Sequence, residues 1–169
     1  MTTKLLVEIP RLQLSEIQKL AAESYAGLLF ATRDFIRSRW GADALRDYEE
    51  RLARDHAECL KARGITSALD FVKALATHSV NVYGSQIEIE GDDTHASLEC
   101  KSCGVCNAIR EMKEAHKAEI GEKDYSPLRY FELMANEMGF DFKGEICGDG
   151  FCFTVSRAVP DTEEYVSLD

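Results

Sequence analysis

Apolar residues recur every three or four positions from Ser15 to Arg39, at Ile17, Leu20, Ala21, Leu28, Ala31, Phe35 and Ile36, and this period predicts an amphipathic helix. Ser15 and Gln18 stand at capping-box spacing at its start. Trp40-Gly41 ends it, and a second helix is expected from Asp43 to Gly64 with Leu45, Tyr48, Leu52, Cys59 and Leu60 on one face. The two helices should pair antiparallel. Ser67-x-x-Asp70 opens a shorter helix through about Thr77. The period then changes. Val80 to Tyr83, Gln86 to Glu90 and Ala96 to Cys100 alternate or nearly alternate, with Gly84-Ser85 and Gly91-Asp92-Asp93 as the turns of an antiparallel meander. Helical spacing returns from about Asn107 to Glu119. Ser126-Pro127 starts a further helix that Gly139 closes, and strands Phe140 to Cys147 and Phe151 to Val159 follow, joined through Gly148-Asp149-Gly150. The fold class is therefore α+β: N-terminal antiparallel helices, an antiparallel β-meander, two further helices and a C-terminal β-hairpin. Strands joined by short turns cannot be the parallel strands of βαβ units.

A chain of 169 residues has room for one domain with a real core, here expected over residues 1–160, with 161–169 an acidic tail. Twenty Lys and Arg against thirty Asp and Glu leave a formal charge of −10, spread along the chain. Such a balance argues against nucleic acid and anionic membrane as partners, since both need local positive charge. No apolar run approaches the length of a membrane span, and Glu8 interrupts the only signal-like start, which points to the cytoplasm. Long apolar faces on paired helices suit a homodimer.

Six cysteines in a reducing compartment are more readily metal ligands or reactive thiols than a disulfide framework. Cys59 falls on an apolar stripe and reads as a small buried hydrophobe. Cys100, Cys103 and Cys106 form a C-x2-C-x2-C run between a strand and a helix, while Cys147 and Cys152 flank the final turn. If Asp149-Gly150 is a two-residue turn, Cys147 lies opposite Cys152, at the Cβ separation of about 4.5–5.5 Å from which two thiolates bind one metal. The expectation is that both groups converge on one centre. Soft thiolates select zinc, copper(I) or an iron–sulfur cluster, and the three-cysteine run with a remote fourth resembles cluster ligation. Five cysteines exceed four places, so either one is spare or three bind a metal whose remaining position is held by Glu145, His95, water or substrate. An open position would serve catalysis, because zinc lowers the pKa of its water to near neutrality.

The segment Glu145-Ile146-Cys147-Gly148-Asp149-Gly150-Phe151-Cys152-Phe153 after a helix and a strand resembles the closing motif of the vinyl-4-reductase-type ligand-binding domain. That resemblance implies zinc held by cysteines and an acid, here Glu145, Cys147 and Cys152 with Cys103 or Cys106, beside a pocket for a small hydrophobic molecule. Between Leu28 and Val155 the chain is also similar to the L-2-amino-thiazoline-4-carboxylic acid hydrolase family, through Gly64-Ile65, Asp70-Phe71-Val72, Cys103-Gly104-Val105-Cys106 and the cysteine-rich hairpin. This second likeness implies attack of water on a C=N carbon through a metal or a cysteine. Cys103 and Cys106, close to a helix N-terminus, are then the candidate nucleophiles. An iron–sulfur redox or sensing protein is the third expectation, carried by the richness of the midchain run. His95, His56, His78 and His116 read as turn or surface residues. The mixed charges of Arg46 to Arg51 read as a solvated face.

Overall fold

The computed structural model describes residues 11–116, 126–147 and 150–157. The expected tail at 161–169, the helix end at 117–119 and the turn residues Gly148 and Asp149 lie outside the described residues. Among the described residues four helices and four strands follow in the order α1 (Leu14–Ala62), α2 (Ala68–Tyr83), β1 (Gln86–Gly91), β2 (His95–Ser102), α3 (Gly104–His116), α4 (Pro127–Glu137), β3 (Phe140–Cys147) and β4 (Gly150–Arg157). The class is α+β.

The first two expected helices form α1, bent at Gly41, where φ 89° and ψ 179° leave the helical region. A positive φ of this kind costs glycine nothing and is strained for other residues. Arg33 on the first arm pairs with Glu49 on the second. An unbroken helix would hold residues sixteen apart about 24 Å from one another, so the chain folds back at the bend. The first arm starts at Leu14 after Gln13, whose N–H donates to Glu16 Oε2 at 2.7 Å, rather than at the expected Ser15 cap. The second arm resumes directly after Gly41, within two residues of the expected start at Asp43. Val80 to Tyr83, expected as a strand, is instead the last turn of α2. The helix begins where Ser67 Oγ accepts from Asp70 N–H at 3.1 Å and continues to Gly84. Val80, Val82 and Tyr83 mimic strand alternation, but a good N-cap and an apolar face against the core carry the helix through them.

The sheet is wholly antiparallel in the order β1-β2-β4-β3. The turn between β1 and β2 also caps α2: the Asp93 and Asp92 carbonyls accept from Ala68 and Leu69 N–H at 3.0 and 3.1 Å. Strand alternation gives the sheet two unlike faces. Ala96, Leu98 and Cys100 of β2 and Phe151, Phe153 and Val155 of β4 are buried on the helix-covered face. There Phe71 meets Phe140, and Phe131 meets both Phe151 and Phe153, each with ring centroids 5.6 Å apart. Glu99, Cys152, Glu145 and Cys147 stand on the other face.

Candidate functional site

The hairpin register differs by two residues from the expected one. Cys147 pairs with Gly150, Ile146 with Phe151 and Glu145 with Cys152. Glu145, not Cys147, thus lies directly opposite Cys152. Because the side-chain period is two, Cys147 still shares their face. Cys147 Sγ is 2.9 Å from Cys152 Sγ, and Cys152 Sγ is 3.7 Å from Glu145 Oε1. The three ligating atoms all lie within 4.8 Å of one another, close enough to hold a metal ion. Glu99 stands opposite Cys152 on its other side. Crowding by Cys147, with burial and the Glu145 charge adding to it, pushes the Cys152 thiol up to about 11. Donors packed this closely repel as anions, and a cation among them reverses that cost.

The midchain cysteines lie elsewhere. Cys100 pairs with Phe151 and points to the helix-covered face, whereas Cys152 pairs with Glu99 and points away. The sheet separates the two cysteine groups, so the expected convergence of all five on one centre does not occur. Alternation along β4 dictates this separation, which the spacing of cysteines along the chain does not encode.

Cys103 occupies the N-cap of α3. Its carbonyl accepts from Asn107 N–H at 2.9 Å, and its sulfur accepts from Cys106 N–H at 3.2 Å. Interaction with the neighbouring Cys100 and Cys106 thiols and with the amides at the start of α3 holds the Cys103 thiol well below its ordinary range despite burial. The cost falls on the neighbours: Cys100 and Cys106 are pushed far up, chiefly by Cys103 and by burial. The end of α3 is fixed by Ser85 Oγ, which accepts from Gly104 N–H at 3.1 Å. It also lies so close to the end of α2 that a Cβ on Gly104 would fall 1.9 Å from the Tyr83 carbonyl oxygen.

All three midchain sulfurs line a partly open cavity of about 480 Å³ bounded by α1, α2, the start of α3, α4 and the sheet. Leu29, Leu52, Leu75, Phe131, Met134 and Phe151 make its walls largely apolar. Polar groups are few and placed. Glu49 contacts Arg33, and Arg129 Nε reaches its other oxygen at 3.8 Å. The Tyr130 hydroxyl is hydrogen-bonded to His56 Nδ1. Burial raises the Tyr25 and Tyr130 phenols, which stay neutral and able to donate. A volume of this size, apolar with a few polar anchors, fits a small organic molecule.

Sequence reading missed Arg33, Tyr48, Glu49, His56 and Tyr130. The signal was present as helical spacing: Tyr25, Leu29 and Arg33 on one arm, and Tyr48, Leu52, His56, Cys59 and Arg63 on the other, all line the cavity. Cys59, expected to be buried, is exposed at this wall. Glu49, expected on a solvated face, is only 16% exposed. His95 begins β2 as an exposed residue apart from the hairpin donors. Among the described residues no helix is long and apolar enough to cross a membrane. No protein-family model matches the chain, and no curated protein matches it significantly.

Proposed function

We propose that this protein is a small-molecule-binding domain whose ligand occupies the cavity between the helices and the sheet, and whose hairpin holds a zinc ion. The cavity carries this reading: about 480 Å³ bounded by apolar side chains, with Tyr130–His56 and Arg33–Glu49–Arg129 as its polar anchors. A hydrophobic body with one or two polar substituents satisfies both kinds of wall. Two thiolates and a carboxylate suit zinc, with a fourth place for water or for Glu99. A [4Fe–4S] or [2Fe–2S] cluster takes four protein ligands, most often all cysteine. The reading agrees with the resemblance of the closing motif to vinyl-4-reductase-type domains. The ion would bind on the face of the sheet away from the cavity, so its part is to fasten β3 to β4.

The test is native mass spectrometry and metal analysis of the purified chain, followed by titration with an environment-sensitive apolar fluorophore. Expected are one zinc per chain and saturable one-to-one fluorophore binding that Leu52→Arg abolishes while zinc content stays. Fluorophore binding unchanged by Leu52→Arg would remove the cavity reading. A chain with several irons would replace zinc by a cluster.

A second reading is hydrolysis at a C=N carbon with Cys103 as the nucleophile. It is favoured by one observation, the thiolate-stabilising donors around a sulfur that faces the cavity. Turnover of a thiazoline carboxylate that Cys103→Ser abolishes would establish it.

A further inference from the structure

The start of α3 sets two thiols three residues apart on the wall of the cavity, with a third beside them. Cys103 at the N-cap is 8% exposed, Cys106 in the first turn is half-buried and Cys100 in β2 is 3% exposed, and all three line the cavity. Their freedom differs. Cys100 is fixed inside the sheet, its backbone paired with Ile87 of β1 and Phe151 of β4. Cys106 belongs to the first turn of a helix, where residues three apart hold their Cβ atoms about 5–6 Å from one another, within about 1.5 Å of the span of a disulfide. Its N–H already donates to Cys103 Sγ at 3.2 Å, which keeps the two residues together before any bond forms. The two thiols are also chemically unlike, Cys103 being shifted toward its thiolate while Cys106 holds its proton. A hydrolytic nucleophile needs no such neighbour, so attack on a C=N carbon leaves Cys106 without a part.

We propose that Cys103 and Cys106 form a thiol-disulfide exchange pair, Cys103 attacking and Cys106 resolving, whose substrate is a small organic disulfide with apolar substituents admitted through the cavity. In the first step the Cys103 thiolate attacks one sulfur of the substrate. The substrate S–S bond breaks, one half leaves as a thiolate that takes a proton from water, and the other half stays on Cys103 as a mixed disulfide. In the second step Cys106 Sγ attacks Cys103 Sγ. The proton of Cys106 passes to the departing second half, and a Cys103–Cys106 disulfide remains. Two electrons have moved from the protein dithiol to the substrate, which is released as two thiols. Two molecules of a small monothiol such as glutathione return the pair to the dithiol by the reverse chemistry. Cys100, held on both sides by its neighbours in the sheet, stays a thiol throughout. The walls select the substrate: with so little of Cys103 exposed, a disulfide reaches it past Leu52, Leu75 and Phe131 or not at all. The inference goes beyond ligand binding and takes from that reading only the cavity as the way in.

The test mixes the reduced full chain, under argon, with an excess of 4,4′-dithiodipyridine, whose two small aromatic rings suit apolar walls, then alkylates the remaining thiols and maps the tryptic peptides. Cleavage after Lys101 and Arg110 releases Ser102 to Arg110, which holds Cys103 and Cys106 and no other cysteine, so Cys59, Cys100 and the hairpin pair report separately. The expected product is this peptide with an internal disulfide. Cys106→Ser should stop the reaction with one pyridylthio group on Cys103, and Cys103→Ser should prevent both steps, each with unchanged far-ultraviolet circular dichroism. Leu52→Arg should slow formation of the internal bond at least about tenfold by closing the route. A wild-type peptide that carries pyridylthio groups without an internal bond overturns the inference, as does a bond from Cys103 to Cys100. An unchanged rate in Leu52→Arg overturns the cavity-admitted substrate. Binding of the apolar fluorophore by the same preparation reads the cavity on its own: a chain that binds it and forms no internal bond refutes the exchange pair and leaves ligand binding standing.

Discussion

Gly104→Ala tests how the midchain thiols are held in place. Helix interiors ordinarily gain up to about 1 kcal/mol from replacing glycine by alanine. Here the added Cβ would lie 1.9 Å from the Tyr83 carbonyl oxygen and 2.9 Å from its carbon, against the 3.4 Å of ordinary contact. Both obstacles are backbone, which cannot rotate aside. Relief requires α3 and α2 to separate by about 1.5 Å, which breaks the 3.1 Å bond from Gly104 N–H to Ser85 Oγ. Overpacking of this kind costs about 1–3 kcal/mol, and a lost buried hydrogen bond about 1 kcal/mol more. After the helix-propensity gain, the net loss is about 2 kcal/mol. With a urea slope of about 2 kcal/mol/M, the unfolding midpoint should fall by about 1 M. Gly27→Ala is the control. Its Cβ meets only Met112 Cε at 3.8 Å, so it should stabilise by about 0.5–1 kcal/mol. The assay is urea denaturation followed by circular dichroism, with the alkylation rate of Cys103 as a second reading, since a displaced helix end loosens the amide bond to its sulfur. A Gly104→Ala midpoint equal to or above wild type would refute the close approach of the two helices and the positioning argument built on it.

Zinc affinity at the hairpin should rise with pH between about 6 and 8, by up to tenfold per unit for each thiol proton displaced, because Cys152 keeps its proton up to about 11 in the metal-free protein. Competition titration with a chromophoric chelator at several pH values measures the slope, and a flat profile would remove the thiols from the site. Cys152→Ser and Cys147→Ser should each lower zinc content and thermal midpoint together, while Cys100→Ser should leave zinc content unchanged, being on the other face of the sheet. A small neutral alkylating agent at pH 6 should modify Cys103 ahead of Cys100 and Cys106, since only Cys103 is shifted toward its thiolate. Peptide mapping that finds Cys106 labelled first would invert the assigned roles of the two thiols.

The segments whose period is long and whose ends carry caps were legible from the chain. The break at Trp40-Gly41, the Ser67 cap, the Ser126-Pro127 start and the strands on either side of the last turn all fall where local chemistry puts them. Val80 to Tyr83 was misread because alternation over four residues fits the end of an apolar helix as well as a strand. The hairpin donors were legible because two neighbouring strands can bring together only what lies near their turn, and a register error of two residues, a whole side-chain period, left Glu145, Cys147 and Cys152 on a common face. The relation between the two cysteine groups was not legible. It depends on β2 pairing with β4, a contact between segments about fifty residues apart that no local pattern specifies. The cavity was hidden for a similar reason: Glu49, Arg33 and Tyr130 come from three segments whose polarity alone places them at the surface.

β4 interleaves its duties. Phe151 lines the cavity and Phe153 is buried in the core beside it, while Cys152 between them faces the other side of the sheet among the hairpin donors. A slip of a single residue would exchange these roles, drowning the aromatic rings and entombing the thiol. An ion gripped simultaneously by Glu145 and Cys147 on one strand and Cys152 on its neighbour would act as a dowel through the ladder, making the correct alignment the only one that binds. Coordination on the outside of the sheet would thereby guarantee the shape of the cavity on the inside, without the ion ever meeting what the cavity held.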